Sequence, residues 1–159
     1  MTVVVREGVR ALVLDPDDRV LLVRFVNPET DEEFWATPGG GLDSGEQLEE
    51  GLRRELREET GLEDVEIGPI VWTRRHVFPW AGKTLDQSER IALVRCPAFE
   101  PRPALTAAQL VAEGVHELRW WTFGELERSG ANFAPRRIVR FLRQLLEEGV
   151  PDTPIDVGV

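Results

Sequence analysis

Three glutamates, Glu55, Glu58 and Glu59, are the residues of this sequence whose types and spacing best suit chemistry. The leucines around them recur every four residues, which predicts a helix with one apolar stripe. On such a helix the three carboxylates border the buried edge, where like charges repel one another and lose hydration. Clustered carboxylate oxygens suit magnesium or manganese. A solvated acidic face with arginine partners explains the same spacing, so both interpretations stay open from the helix alone.

The ends of this helix and the loop before it carry further signals. Residues 44–47 have the spacing of a capping box and Gly61 supplies a stop, which predicts a helix of about four turns. The glycine run from Gly39 to Gly41 lets the backbone approach a ligand closely. This loop favours a ligand site beside the carboxylates, although a glycine run alone is weak evidence.

A longer pattern joins the loop to the helix. It reads Gly40-x5-Glu46-x7-Arg54-Glu55-Leu56-x-Glu58-Glu59-x-Gly61-Leu62 and matches every specified position of the signature of the Nudix hydrolases. The order of predicted strands and helices also resembles that family across most of the chain. The resemblance implies an α/β fold, an α/β/α sandwich with a mixed β-sheet in a single domain. It also implies that water and a divalent metal, Mg²⁺ or Mn²⁺, split a nucleoside diphosphate linked to another group X.

The resemblance assigns roles within the motif. Glu55, Glu58 and Glu59 would bind the metal ions, and Gly40 would offer its backbone carbonyl as a ligand. Glu55, Glu58 and Arg54 would form the catalytic set, in which Arg54 orients a glutamate and one glutamate doubles as the base that deprotonates water. The metals would neutralise charge on the phosphates and lower the pKa of bound water. An ordinary helix-surface arginine is the alternative for Arg54.

In many members of the family the water-activating glutamate lies outside the motif, in a loop that varies. Glu113, Glu117 and Glu89 are the candidates for such an additional base in this sequence. Taken singly, each is better explained as a plain surface acid.

Substrate contacts should come from aromatic faces and cations outside the motif. Trp35, Arg74 and Phe78 are the residues predicted to bind substrate, because Trp35 precedes the glycine loop and the other two belong to a cationic and aromatic stretch. Trp72 lies on an apolar strand and is better explained as core. His76 is better explained as a hydrogen-bonded loop residue than as a catalyst.

Two hypotheses about the substrate of such an enzyme remain. One is a nucleoside triphosphate pyrophosphatase, which is favoured, and the other is a hydrolase of ADP-ribose or nucleotide sugars. The chain has no tyrosine, which makes a dinucleoside polyphosphate hydrolase a weaker alternative. A nucleotide sensor without catalysis is an alternative of a different class, but sensors with this fold usually lose motif carboxylates.

Composition restricts the setting and the partners. The formal net charge of −10 over 159 residues opposes binding to a polyanionic nucleic acid, whereas a small metal-complexed nucleotide is still accommodated. The single cysteine, Cys96, excludes an internal disulfide framework. No long apolar run or signal-peptide pattern is present, which predicts a cytoplasmic protein that does not contact membrane. The sequence leaves monomer and homodimer open.

Strand and helix patterns complete the expected fold. The apolar and β-branched runs predict strands at residues 9–14, 19–25, 34–37, 65–67, 70–75, 90–96 and 117–121. Residues 38–41 should break regular structure, and residues 76–83 should form an aromatic loop. Pro135 should open a final helix. The expected Nudix domain covers residues 1–150, followed by a loosely ordered tail at residues 151–159.

Overall fold

The computed structural model describes residues 2–159, which form one sheet flanked by helices. The helices are α1 (Leu48–Thr60), α2 (Ala107–Ala112), α3 (Phe123–Arg128) and α4 (Ile138–Glu148). The strands are β1 (Val3–Leu14), β2 (Val20–Val26), β3 (Glu33–Ala36), β4 (Gly39–Gly41), β5 (Ile70–Trp80), β6 (Lys83–Arg95), β7 (Val115–Trp121), β8 (Phe133–Ala134) and β9 (Ile155–Asp156).

The sheet is mixed and is built around β1. Its strand order is β8-β3-β2-β1-β6-β5-β9, with β4 also paired to β1 and β7 also paired to β2. Along its whole length β1 runs parallel to β6, from Val3 opposite Thr84 to Leu14 opposite Arg95. The other edge of β1 pairs antiparallel with β2 near the turn and with β4 at Gly8 to Arg10. Strand β1 therefore lies between the glycine strand β4 and β6.

Both faces of the sheet are covered by helices. The alternation of β1 sends Leu12 to one face, where it packs in a core with Trp72 and Leu142 of α4. It sends Val13 to the other face, where it packs in a second core with Leu56 of α1. The predicted α/β/α sandwich with a mixed sheet is confirmed. No helix within residues 2–159 has both the length and the apolar character needed to cross a membrane.

Helix α1 ends where the sequence predicts but begins differently. Gly61 terminates the helix in a left-handed conformation, with φ of 79°, and its N–H donates to the carbonyl of Arg57. The predicted capping box at residues 44–47 is wrong, because the N-cap is Gln47 and its side chain makes no capping hydrogen bond. Glu46 instead accepts a hydrogen bond from the backbone of Asp43 and takes part in the site described below.

Gly61→Ala should destabilise the protein by about 2 kcal/mol or more. The alanine would have to adopt a positive φ, and its Cβ would lie 2.1 Å from the carbonyl oxygen of Arg102. Gly45→Ala is the matched control, since Gly45 also has a positive φ of 77° but no neighbour within 4 Å of the added carbon. Chemical denaturation measures both losses. Equal losses would mean that the contact with Arg102 contributes nothing.

Several expected loops are strands. Residues 38–41, predicted to break regular structure, contain β4, whose glycines let α1 and β1 approach closely. The predicted aromatic loop at residues 76–83 is wrong as well: β5 continues to Trp80 and β6 begins at Lys83. Side chains alternate there between half-buried Phe78 and exposed Val77, which is the two-residue period of a strand. Conversely, residues 65–67 form no strand.

The C-terminal tail is ordered, contrary to the prediction. Strand β9 pairs parallel with β5, and the Val157 side chain is buried. The N–H of Val157 donates to the carbonyl of Thr73, and the N–H of Arg136 donates to that of Val159. Backbone pairing and the buried Val157 side chain fix this segment against the sheet. The prolines of the tail had suggested a loose segment instead.

Candidate active site

A cleft of about 280 Å³ lies where α1, β4, β1 and β5 meet. Carboxylates from α1 line one wall, and arginines from β1 and β5 line the other. The glycines of β4 form part of the floor, so the backbone approaches the cleft without side chains in between. Opposite charges therefore face each other across a space large enough for a small ligand.

Glu55 and Glu59 form an acidic pair that lines the cleft, and the Glu55 side chain is 12% exposed. They lie one helical turn apart, and Glu59 is only 4% exposed. Burial raises the pKa of Glu55, and burial together with the neighbouring Glu55 raises the pKa of Glu59 well above its ordinary value. The N–H of Gly39 donates to Glu59 at 3.2 Å. Two carboxylates held this way require a proton or a cation between them.

Arg54 joins Glu46, which precedes α1, to Glu55 and Glu58 of the helix. Its Nε and Nη2 donate to the two oxygens of Glu46 at 2.8 and 2.9 Å, a bidentate pair. Its Nη1 donates to Glu55 at 3.1 Å and to Glu58 at 3.2 Å. The hydrogen bonds from Arg54 lower the pKa of Glu46 to about 2. One guanidinium thus holds three carboxylates, of which only Glu55 is among the residues that line the cleft.

These residues fit a hard divalent cation in part. Glu55 and Glu59 supply carboxylate oxygens, and a Cβ at Gly40 would lie 2.9 Å from a Glu55 oxygen, so the glycine is needed for this close approach. Glu58 is turned toward Arg54 rather than toward the pair. Throughout residues 2–159, no three histidine, cysteine or acidic side chains already converge as a ligand cage. Magnesium commonly uses few protein carboxylates and keeps several waters, which agrees with a two-carboxylate pair.

The opposite wall is a network centred on Glu89. Arg10 donates to one oxygen of this carboxylate at 2.8 Å and Arg74 to the other at 2.9 Å. Gln87 donates to Glu89 at 2.6 Å and accepts a hydrogen bond from Nε of Arg6. Burial would raise the pKa of Glu89, but Arg10 and Arg74 hold it at about 2. Glu89 is therefore ionised, and both of its oxygens accept hydrogen bonds.

A model of the NUDIX domain family matches residues 4–142, which include both walls of the cleft. The chain belongs to the Nudix family. Relatives with assigned names match shorter stretches of this Nudix protein. An RNA pyrophosphohydrolase from Pelagibacter ubique is 37% identical over 62 residues, 39% of this chain and 38% of that protein. The nucleoside triphosphatase NudI from Escherichia coli is 58% identical over 41 residues, 24% of this chain and 28% of that protein. Both matches span well under half the length of the relative.

Solved Nudix structures superpose over most of the chain. A MutT Nudix hydrolase from Burkholderia pseudomallei has a TM-score of 0.59 at 26% identity and covers 89% of this chain and 98% of its own. The Nudix domain of Shewanella oneidensis NrtR, crystallised with ADP ribose, has a TM-score of 0.61 at 20% identity and covers 90% of this chain and 89% of its own. At that lower identity the similarity concerns the fold alone.

The three acids predicted as an additional base lie in different surroundings. Glu113 is exposed and lines the cleft. Glu117 is exposed and pairs with Arg24 at 3.1 Å, outside the lining of the cleft. The Glu89 side chain is fully buried, and each of its oxygens accepts a hydrogen bond from an arginine. Only Glu113 faces the Nudix carboxylates across solvent.

The predicted substrate-binding residues also separate. Arg74 and Phe78 line the cleft, and the Phe78 ring stacks on His76 with centroids 4.6 Å apart. Trp35 does not reach the cleft, so its prediction as a substrate contact is wrong. Its side chain is buried in the core and meets the Trp121 ring edge-on at 5.1 Å. Strand alternation places Trp35 on the opposite side of β3 from the half-buried Phe34, which does line the cleft.

Sequence reasoning missed the arginines of β1. Arg6 and Arg10 line the cleft together with Gln87, although none belongs to the motif. The available signal was the spacing of two residues between Arg6, Gly8 and Arg10, since it places these positions on one face of β1. Burial of the His76 ring, together with the nearby positive charge of Arg74, lowers the pKa of the imidazole to about 4, so the ring is neutral near pH 7.

Acid should destabilise the protein as Glu89 becomes protonated. The ordinary glutamate pKa is 4.5 and that of Glu89 is about 2. Ionised Glu89 therefore contributes fully to the free energy of unfolding above the pKa of the unfolded state, and this contribution is lost as the pH falls through the pKa of the folded state. This difference in pKa corresponds to about 3 kcal/mol of the free energy of unfolding. Chemical denaturation between about pH 6 and about pH 2 measures it. Glu89→Gln should flatten this dependence, and an unchanged slope in that variant would contradict the assignment.

Proposed function

We propose that this Nudix protein is a divalent-metal-dependent pyrophosphohydrolase that converts a nucleoside triphosphate to a monophosphate and pyrophosphate. The observation that carries the proposal is the pairing of Glu55 and Glu59 on one wall of the cleft with arginines on the other. A diphosphate linkage needs both parts, because its charge must be neutralised and its leaving group stabilised.

The chain would hold magnesium or manganese through Glu55 and Glu59, with Glu58 and the Gly40 carbonyl as further ligands. Bound metal supplies positive charge at the phosphates and makes water more acidic. Arg54, which lines the cleft, pairs with Glu58 and Glu46, and Glu58 would accept a proton from water. Glu113 is a second candidate for this proton transfer, because it lines the same cleft.

A small nucleotide suits the cleft better than a long polyanion. The net charge of −10 opposes the approach of an extended nucleic acid, whereas four arginines line the cleft itself. The half-buried rings of Phe78 and Phe34 offer stacking faces for a base at the same cleft. The relative named nucleoside triphosphatase supports this choice through its 58% identity over 41 residues. A cytoplasmic setting and a monomeric or homodimeric state remain part of the proposal.

The test is phosphate and pyrophosphate release from nucleoside triphosphates, ADP-ribose, nucleotide sugars and dinucleoside polyphosphates. Each is incubated with magnesium, with manganese and with a chelator. Turnover of nucleoside triphosphates should require metal and should fall by orders of magnitude in Glu58→Gln. Glu50→Gln is the matched control, since Glu50 is an exposed acid of the same helix.

Each alternative outcome has a definite meaning. Preferential turnover of ADP-ribose or a nucleotide sugar would contradict the proposed substrate and support the alternative hypothesis of an ADP-ribose or nucleotide-sugar hydrolase. Metal-dependent nucleotide binding without turnover of any compound would favour a sensor and would contradict the proposed activity. Equal rates in Glu58→Gln and the parent protein would remove Glu58 from proton transfer and metal binding.

A further inference from the structure

The arginine wall of the cleft has more hydrogen-bond donors than acceptors. Arg74 uses Nη1 on Glu89, while its buried Nε has no partner. Arg10 uses Nε on Glu89 and Nη1 on the carbonyl of Thr37, and Arg6 uses only Nε, on Gln87. Over the described part of the chain, no acceptor meets Nη2 of any of these three arginines. Unused guanidinium donors at a cleft are free to bind an anion.

Charge in the network is unbalanced. Two guanidiniums contact Glu89, and a third, that of Arg6, is linked to it through Gln87, which is neutral. Glu89 therefore balances only part of the positive charge. Buried charge without a partner is unfavourable, so an arrangement of this kind is expected where a ligand completes it. The glutamates of α1 face the arginines, but a metal on those glutamates would take up their charge.

The backbone is shaped to hold this network. A Cβ at Gly8 would lie 2.7 Å from Nε2 of Gln87, and a Cβ at Gly41 would lie 2.8 Å from Cζ of Arg6. Each glycine thus leaves space that one side chain of the network fills. Arg74 is 6% exposed and Arg10 is largely buried, so their guanidiniums are held in fixed positions by packing as well as by Glu89. Fixed donors bind a phosphate with less loss of side-chain entropy than mobile ones.

We infer that Arg6, Arg10 and Arg74 form a phosphate subsite that is assembled by Glu89 and Gln87. It would hold the phosphate of the substrate that lies away from the Glu55 and Glu59 pair. Glu89 is then a positioning residue that acts through Arg10 and Arg74, and its hydrogen bonds leave it no part in proton transfer. The inference rests on the proposed function, and it favours a triphosphate chain over a diphosphate joined to a neutral sugar, because the latter carries fewer anionic oxygens for this wall.

The direct test is calorimetric titration of inorganic tripolyphosphate into the metal-free protein. Arg74→Gln and Arg6→Gln should each weaken binding by about 10- to 100-fold, the usual effect of losing a charge-assisted hydrogen bond in a shielded site. Arg75→Gln is the matched control, because Arg75 adjoins Arg74 on β5 but is 69% exposed and pairs with Asp86. That variant should bind like the parent protein. Arg6 takes part in no ion pair among residues 2–159, so Arg6→Gln tests the subsite even where Arg74→Gln is unstable.

Two results would overturn the subsite: undetectable binding by the parent protein, or equal affinity in all four proteins. Failure of the proposed function looks different, since a protein without hydrolysis could still bind tripolyphosphate through Arg6 and Arg74. Glu89→Gln separates positioning from catalysis. It should raise KM for a nucleoside triphosphate by about tenfold and leave the pH profile of kcat unchanged. Loss of the acidic limb of that profile would make Glu89 a proton acceptor and contradict its assignment.

Discussion

Glu55→Gln should lower kcat by about three orders of magnitude while the metal-free protein becomes slightly more stable. The loss is expected because Glu55 is one of the two buried carboxylates available to a divalent cation. The gain in stability is expected because glutamine removes one of two like charges buried one helical turn apart. About 1 kcal/mol of relief corresponds to a rise of about 2–4 °C in Tm.

Steady-state kinetics with saturating magnesium and thermal denaturation with a chelator measure the two effects. Glu50→Gln provides the control for both, since it removes an exposed acid from the same helix. A variant at Glu55 that keeps normal kcat would exclude this residue as a metal ligand. A variant that loses both activity and stability would mean that Glu55 acts mainly as a structural partner of Arg54, which donates to it at 3.1 Å.

Trp35→Ala should destabilise the protein by about 3–5 kcal/mol, the usual loss for a large buried aromatic side chain. Trp35 is 8% exposed and packs edge-on against Trp121 in the core that includes α4. The substitution would leave a cavity between β3 and β7. Chemical denaturation measures this loss.

Phe78→Ala is the contrasting change on an aromatic residue that lines the cleft. It should raise KM by about tenfold if its ring stacks on a base, and its effect on stability should be smaller than that of Trp35→Ala because Phe78 is only half-buried. A stable Trp35→Ala variant with a raised KM would contradict the placement of Trp35. Such a result would return this tryptophan to the substrate site.

The sequence was most informative where chemistry and local structure share one segment. Arg54, Glu58 and the terminating Gly61 follow one another at about one helical turn, so one helix determines how they lie relative to one another. The structure brings Arg54 and Glu58 together as this spacing requires, and Glu46 of the preceding loop joins them. Membership of the Nudix family, and with it the sandwich fold, could therefore be inferred before any long-range contact was known.

The arginine wall could not be found in this way because it depends on distant pairing. Arg10 and Glu89 are separated by 79 positions and meet only because β1 runs parallel to β6. Local patterns carry no information about such a register. The aromatic part of β5 was misread for a different reason: Pro79 and Gly82 are typical of loops, but they lie at the end of a long hairpin whose edges stay paired.

The most direct test of the central claim is phosphorus NMR of a nucleoside triphosphate incubated with this protein and magnesium. The proposed reaction predicts equal amounts of nucleoside monophosphate and pyrophosphate, with no signal from either product in the presence of a chelator. The Glu55→Gln variant should give the same spectrum as the chelated sample. An unchanged triphosphate spectrum with the folded parent protein, or products consisting of nucleoside diphosphate and phosphate, would contradict the account.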